Sequence, residues 1–207
     1  MILNQGWHSK LNLSPFFRIL LISIASVFAL SACAGDDQEK TTTQEKQDKS
    51  IVLSENGVGP INATTSFNMH QITLAFSNYN VVEELNYQSG NPFPVIRVSE
   101  GVKTLLTVIP DASQQNIYSI IVEDNVVSNS LGHHLGTIYS DVYSYGQTEE
   151  CQAGTQDMAD KVICYAPKKP NILYVFNGKK DNKKTTVPPA EVLQNWVLES
   201  IIWRPKL

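Results

Sequence analysis

The order of apolar and polar positions divides the chain into three zones. Ile19 to Leu30, ILLISIASVFAL, is an unbroken run of twelve residues without a charge. Residues 34–50, AGDDQEKTTTQEKQDKS, hold no Val, Ile, Leu or aromatic residue. From Ile51 to Leu207, short apolar runs alternate with glycine, proline and asparagine punctuation. In this third zone Phe67, Met69, Ile72 and Phe76 recur at helical spacing, predicting a helix over 66–77 with Thr65 or Ser66 as its cap. VVEELNYQ (81–88), FPVIRVSE (93–100), KTLLTVIP (103–110) and NIYSIIVED (116–124) are rich in β-branched and aromatic residues and are separated by turn formers, which predicts antiparallel strands. A second round follows. LGHHLGT leads into IYSDVYSYG as a short helix or turn, then KVICYAP (161–167), NILYVFNG (171–178) and WVLESIIWRP (196–205) read as strands. The expected class is α+β, with antiparallel strands dominating, two short helices and a hint of two similar helix-plus-strands halves.

The first zone reads as an address. Lys10 and Arg18 precede the apolar run, and no acidic residue comes before Asp36, the pattern of a secretory signal. Twelve apolar residues fall short of the roughly 20 that span a bilayer. The run ends in Leu30-Ser31-Ala32-Cys33, which resembles the bacterial lipobox. The resemblance implies that residues 1–32 are removed and that Cys33 carries a diacylglycerol thioether, a step that requires a thiolate nucleophile. Two or three acyl chains anchor a protein firmly, whereas one is marginal. Ala34 follows the cysteine where Asp would favour inner-membrane retention, so the expected location is the outer membrane, facing the periplasm. Residues 33–50 are then a lipidated Cys and a tether too polar to offset its own ordering entropy, reaching about 20–25 Å as a coil.

Charge narrows the partners. Loss of Lys10 and Arg18 with the leader leaves fourteen basic and twenty acidic residues, a net −6. Such a chain is a poor match for nucleic acid phosphates. The basic cluster Lys179-Lys180-Asp181-Asn182-Lys183-Lys184 reads as a solvated loop, with contact to anionic lipid as the alternative. Residues 51–207 suffice for one periplasmic domain with its own core. Cys151 and Cys164, thirteen positions apart in an oxidising compartment, are expected to form a disulfide. Two cysteines without a neighbouring His make a poor zinc site, so no metal is expected there.

Catalytic motifs are missing from the sequence. There is no HExxH, no Gly-x-Ser-x-Gly elbow and no phosphate-binding glycine loop, and no cofactor is expected. His70 falls among apolar residues of the predicted helix and reads as a packed or surface side chain. His133 and His134 are adjacent in a glycine-flanked turn where they could converge, and Tyr139, Tyr143 and Tyr145 follow closely. His133, His134, Tyr139 and Tyr143 therefore form the candidate ligand-binding surface, against the plainer reading of aromatic core packing. The carboxylate pairs Glu83-Glu84, Glu123-Asp124 and Glu149-Glu150 read as surface charge.

GVGPINATTSF (57–67), CQAGTQDMADKVICYAP (151–167), ILYVFNG (172–178) and VPPAEVLQNWVLESIIWRP (187–205) together resemble the RpoE-regulated lipoprotein family. The resemblance implies an α+β envelope lipoprotein domain of unassigned function, expressed in relatives under envelope stress, and it carries over no catalytic residue. The leading expectation is a non-enzymatic outer-membrane lipoprotein that binds an envelope protein or glycan, or supports the envelope. A periplasmic binding or inhibitor module acting on a cell-wall hydrolase, glycan or peptide comes second. A hydrolase using His133 or His134 comes third.

Overall fold

A computed structural model describes residues 50–88, 90–144, 150–178 and 186–206. The leader, Cys33, the tether up to residue 49, Tyr145, Glu149 and the Lys-rich run 179–184 lie outside the described residues. Three short strands come first, β1 (Ile51–Ser54), β2 (Gly57–Val58) and β3 (Ile61–Asn62), followed by helix α1 (Met69–Ala75). Four strands follow: β4 (Asn80–Gln88), β5 (Asn91–Glu100), β6 (Lys103–Pro110) and β7 (Ile117–Val122). Strand β8 (Val127–Asn129) and the one-turn helix α2 (Tyr139–Val142) lead to β9 (Cys151–Ala153), β10 (Lys161–Ala166) and β11 (Lys169–Asn177). A 3-10 turn, Gln156–Met158, follows β9, and helix α3 (Ala190–Leu193) precedes the last strand, β12 (Val197–Trp203).

The strands form two sheets. The larger has the order β4-β5-β6-β7-β12-β11-β10-β9, antiparallel throughout. The smaller has the order β3-β2-β1-β8, in which β1 and β8 pair in parallel, Ile51 opposite Val127. The class is α+β with strands dominating, as the alternation predicts. Two meanders, β4–β7 and β9–β12, meet at their final strands, Ile202 opposite Ile121, and each follows a helix. The sequence pattern underestimates the parts. The described residues contain three helices where two are expected, and β1–β3, β8 and β9 lie where no strand is predicted. Strands of two to four residues are too short for a period of two to register.

Helix α1 also starts later than expected. Asn68 is its cap, accepting a bond from the Gln71 amide at 3.1 Å through Oδ1. Thr65 instead turns its hydroxyl to the Asn62 amide, and Ser66 makes an isolated bridge to Asn116. Ile72 and Phe76 still face the core, so the apolar periodicity holds while the cap shifts.

One face of the large sheet, the helices and the small sheet enclose the main core, with Ile96, Val98, Leu106, Val108, Ile120, Val122, Tyr174, Phe176 and Trp203 all nearly inaccessible. Each buried side chain of this size contributes about 1.5–3 kcal/mol. The opposite face carries a smaller cluster, Leu173, Val175 and Ile202, with Met158 packed against it. A polar clamp ties the two sheets together at the β1–β2 turn. The Glu55 carbonyl accepts from Asn171 Nδ2 at 2.8 Å and from Trp203 Nε1 at 3.2 Å. Its carboxylate pairs with Lys169 and Lys206. At the far edge the β4–β5 hairpin runs past β6, whose pairing with β5 reaches only Ile96 opposite Val108. Leu85 and Tyr87 are consequently 66% and 61% exposed.

Candidate functional site

The loop from Leu131 to Ile138 carries both candidate histidines, and they go separate ways. His133 is half-buried, with Nδ1 2.9 Å from the Tyr174 hydroxyl and its ring edge-on to the phenol at 5.5 Å. Asn129 Nδ2 donates to the same oxygen at 2.9 Å. The arrangement that satisfies all three groups has the phenol donating to an unprotonated Nδ1, which leaves the imidazole proton on Nε2. Burial, reinforced by neighbouring His134, pushes the His133 pKa down. Burial pushes Tyr174 up to about 12, against the opposing pull of Asn129. The result is a neutral lock between β8, the following loop and β11, with the phenol fully enclosed. His134 stays exposed and donates from Nδ1 to the Leu135 carbonyl at 3.1 Å. The histidines do not converge on a common point.

Tyr139 and Tyr143 do not form the candidate ligand-binding surface and follow the plainer reading of aromatic core packing. Tyr139 opens helix α2 and Tyr143 follows its last residue, and both rings lie on the large sheet. Their rings are 4.7 Å apart and pack on Phe176 at 5.2 and 6.0 Å. Tyr143 donates to the Tyr165 carbonyl at 2.7 Å. Both are core residues, 9% and 2% exposed, because a helix of one turn can hold its place only by burying its large side chains. Trp196 and Trp203 are core as well. Next to this cluster the Cys151–Cys164 disulfide is formed, crossing directly from β9 to β10.

The described carboxylates of these pairs have structural partners or face solvent. Glu84 pairs with Arg97 at 2.6 Å, and Glu123 accepts from the Thr107 hydroxyl at 2.6 Å. Asp124 accepts from the Val126 amide at 2.9 Å. Among the described residues no three His, Cys, Asp or Glu side chains come together in a manner that could hold a metal ion.

A concave site appears elsewhere, where the chain enters the domain. Ser50, Ile51, Val52 and Ser54 form one wall, the β2–β3 turn at Gly59-Pro60 a second, and the end of α1 with Ser77, Asn78 and Tyr79 the third. The cleft encloses about 460 Å³, a size suited to a small ligand. Gly59 has φ +55°, and its amide donates to the Val52 carbonyl at 2.9 Å. A Cβ there would lie 3.1 Å from Ile51 Cγ2 and 3.6 Å from the Phe76 ring, so the glycine lets the turn close against the wall. Phe76 and Tyr79 meet edge to face at 6.3 Å. Among the described residues, none that lines the cleft is Lys, Arg, His, Asp or Glu. Sequence reasoning passed over this site because it searched for titratable groups. The available signal was the glycine-proline entry turn together with Phe76 and Tyr79 just beyond a short helix. A smaller groove of about 240 Å³ lies by Gly154, Tyr165, Leu173 and Arg204.

Comparison with known proteins places this architecture. A family described as "Protein of unknown function (DUF1131)" matches residues 43–205. The uncharacterized protein YfeY of Escherichia coli strain K12 is 30% identical over 158 residues, which cover 75% of this chain and 80% of that protein. The crystal structure of YfeY from Escherichia coli matches with a TM-score of 0.61 at 28% identity, covering 75% of this chain and 99% of that one.

Proposed function

The chain belongs to the DUF1131 family, and from that premise we propose that it is a lipid-anchored outer-membrane protein, facing the periplasm, that acts by binding and not by catalysis. Leu30-Ser31-Ala32-Cys33 after a basic, apolar leader supports the anchor. The resemblance to RpoE-regulated lipoproteins supports a role in the envelope under stress. The observation that carries the binding reading is the cleft between β1 and the end of α1. Its aliphatic and aromatic walls and neutral polar groups can hold a ligand, and among the described residues its side chains include no His, Cys, Lys, Asp or Glu to serve as acid or base near pH 7. The histidines that a hydrolase would use bond instead to the Tyr174 hydroxyl and the Leu135 carbonyl. A second reading, a module that caps an envelope protein, draws on exposed Leu85 and Tyr87 of the β4–β5 hairpin.

Radiolabelled palmitate fed to cells producing the chain should enter the natural protein and not Cys33→Ala, and the label should fractionate with the outer membrane. Crosslinking in intact cells should recover a partner set that Cys33→Ala loses. Label absent from the natural protein, or an identical partner set from the unlipidated form, would remove the anchor from the explanation.

A further inference from the structure

We propose that the cleft beside Ser50 holds the acyl chain of a neutral, ester-linked membrane lipid. The inference deepens the binding reading above and rests on it for the supply of lipid. Its physical basis is the gradient along the cleft. Of the lining side chains, Ile51 and Phe76 are the most buried, 3% and 2% exposed. Val52, Pro60, Ala75 and Tyr79 extend this apolar lining outward. Ser50, Ser77 and Asn78 lie exposed at the mouth, where hydroxyl and amide donors can reach an ester carbonyl. An acyl ester has the same order of parts, an apolar chain ending in a polar but uncharged group.

Charge excludes the competing classes. A phosphate, a free carboxylate or an amine drawn into the cleft would lose water and find no side chain of opposite charge among the described lining residues. A sugar ring carries hydroxyls all round; Ser50, Ser54, Ser77, Asn78 and Tyr79 can meet some of them, but Ile51, Val52, Pro60, Ala75 and Phe76 offer the rest no side-chain partner. Leu74, next in sequence to the lining residue Ala75, and Val52 itself are exposed apolar side chains, at 64% and 39% exposure. A chain leaving a bilayer would meet such exposed side chains first.

The test uses the full chain with Cys33→Ala, which removes the protein's own lipid as a source. Titration calorimetry with monodecanoylglycerol, with decanoate at pH 8 and with N-acetylglucosamine separates the ligand classes. The expected result is one monodecanoylglycerol per chain, bound at least about tenfold more tightly than decanoate, with no binding of the sugar. Ser77→Trp, at an exposed position on the rim, should weaken binding about tenfold or more while leaving the urea midpoint unchanged. Asn78→Lys should narrow or reverse the preference by supplying the missing cation. Failure of monodecanoylglycerol to bind, equal affinity for decanoate in the parent chain, or preference for the sugar would overturn the proposal. An Asn78→Lys chain with the parent's selectivity would do so too. Because this assay works on unlipidated protein, its failure is distinguishable from a failure of palmitate labelling.

Discussion

Tyr174 turns a histidine that looks chemical in sequence into a structural one. Its phenol is inaccessible and shared between Asn129 and His133, so Tyr174→Phe should leave two polar groups without their partner. The expected loss is about 1–3 kcal/mol in urea unfolding. A pH dependence follows from the same lock. His133 has a folded pKa below its ordinary value, so below about pH 6.5 the unfolded chain takes up a proton that the folded chain resists. The lock's contribution is therefore fully present above that pH and is lost as pH falls towards the lowered folded value. His133→Gln should flatten the decline in urea midpoint between pH 7.5 and 5.5, and parallel curves for the two proteins would contradict this assignment. At this scale sequence conveyed residue type but not direction. Two adjacent histidines in a loop can point anywhere, and the choice fell to a phenol 41 positions away.

Elements were read most accurately where they are long. The boundaries of β6 coincide with the predicted 103–110, and β4, β5, β7, β10, β11 and β12 fall within three residues of expectation. Their alternation repeats often enough to overcome local propensity. Caps and short strands depend on single hydrogen bonds, so α1 starts at Asn68 by a bond that Thr65 or Ser66 could equally have made. The edges of the large sheet are protected differently. Strand β4 carries Glu83 and Glu84, charges that discourage pairing with another strand. Strand β9 has three residues and is joined to β10 by the disulfide. Reduction, or paired Cys151→Ser and Cys164→Ser, should cost about 3 kcal/mol on the chain-entropy estimate. Hydrogen exchange should rise first in β9, and faster exchange confined to β4 would show that the crosslink does not hold that edge.

At the scale of the whole molecule, the small sheet is held to the large one through a backbone carbonyl more than through charge. Asn171 lies 6% exposed and bonds the carbonyls of Glu55 and Arg204, whereas the Glu55 ion pairs are partly open to solvent. Asn171→Ala should therefore cost about 1–3 kcal/mol and Glu55→Gln less than about 1 kcal/mol. Equal or inverted losses in urea unfolding would move the weight to the ion pairs. The sequence by itself determined the three zones, the class, the cysteine pairing and most strand positions, because each is recorded in composition or in a local repeat. Tertiary structure alone decided that β7 meets β12, that Tyr139 and Tyr143 turn inward, and that Ser50, Gly59 and Phe76 enclose one cleft. Those outcomes depend on which distant surfaces exclude water together, and no short window of sequence contains both partners.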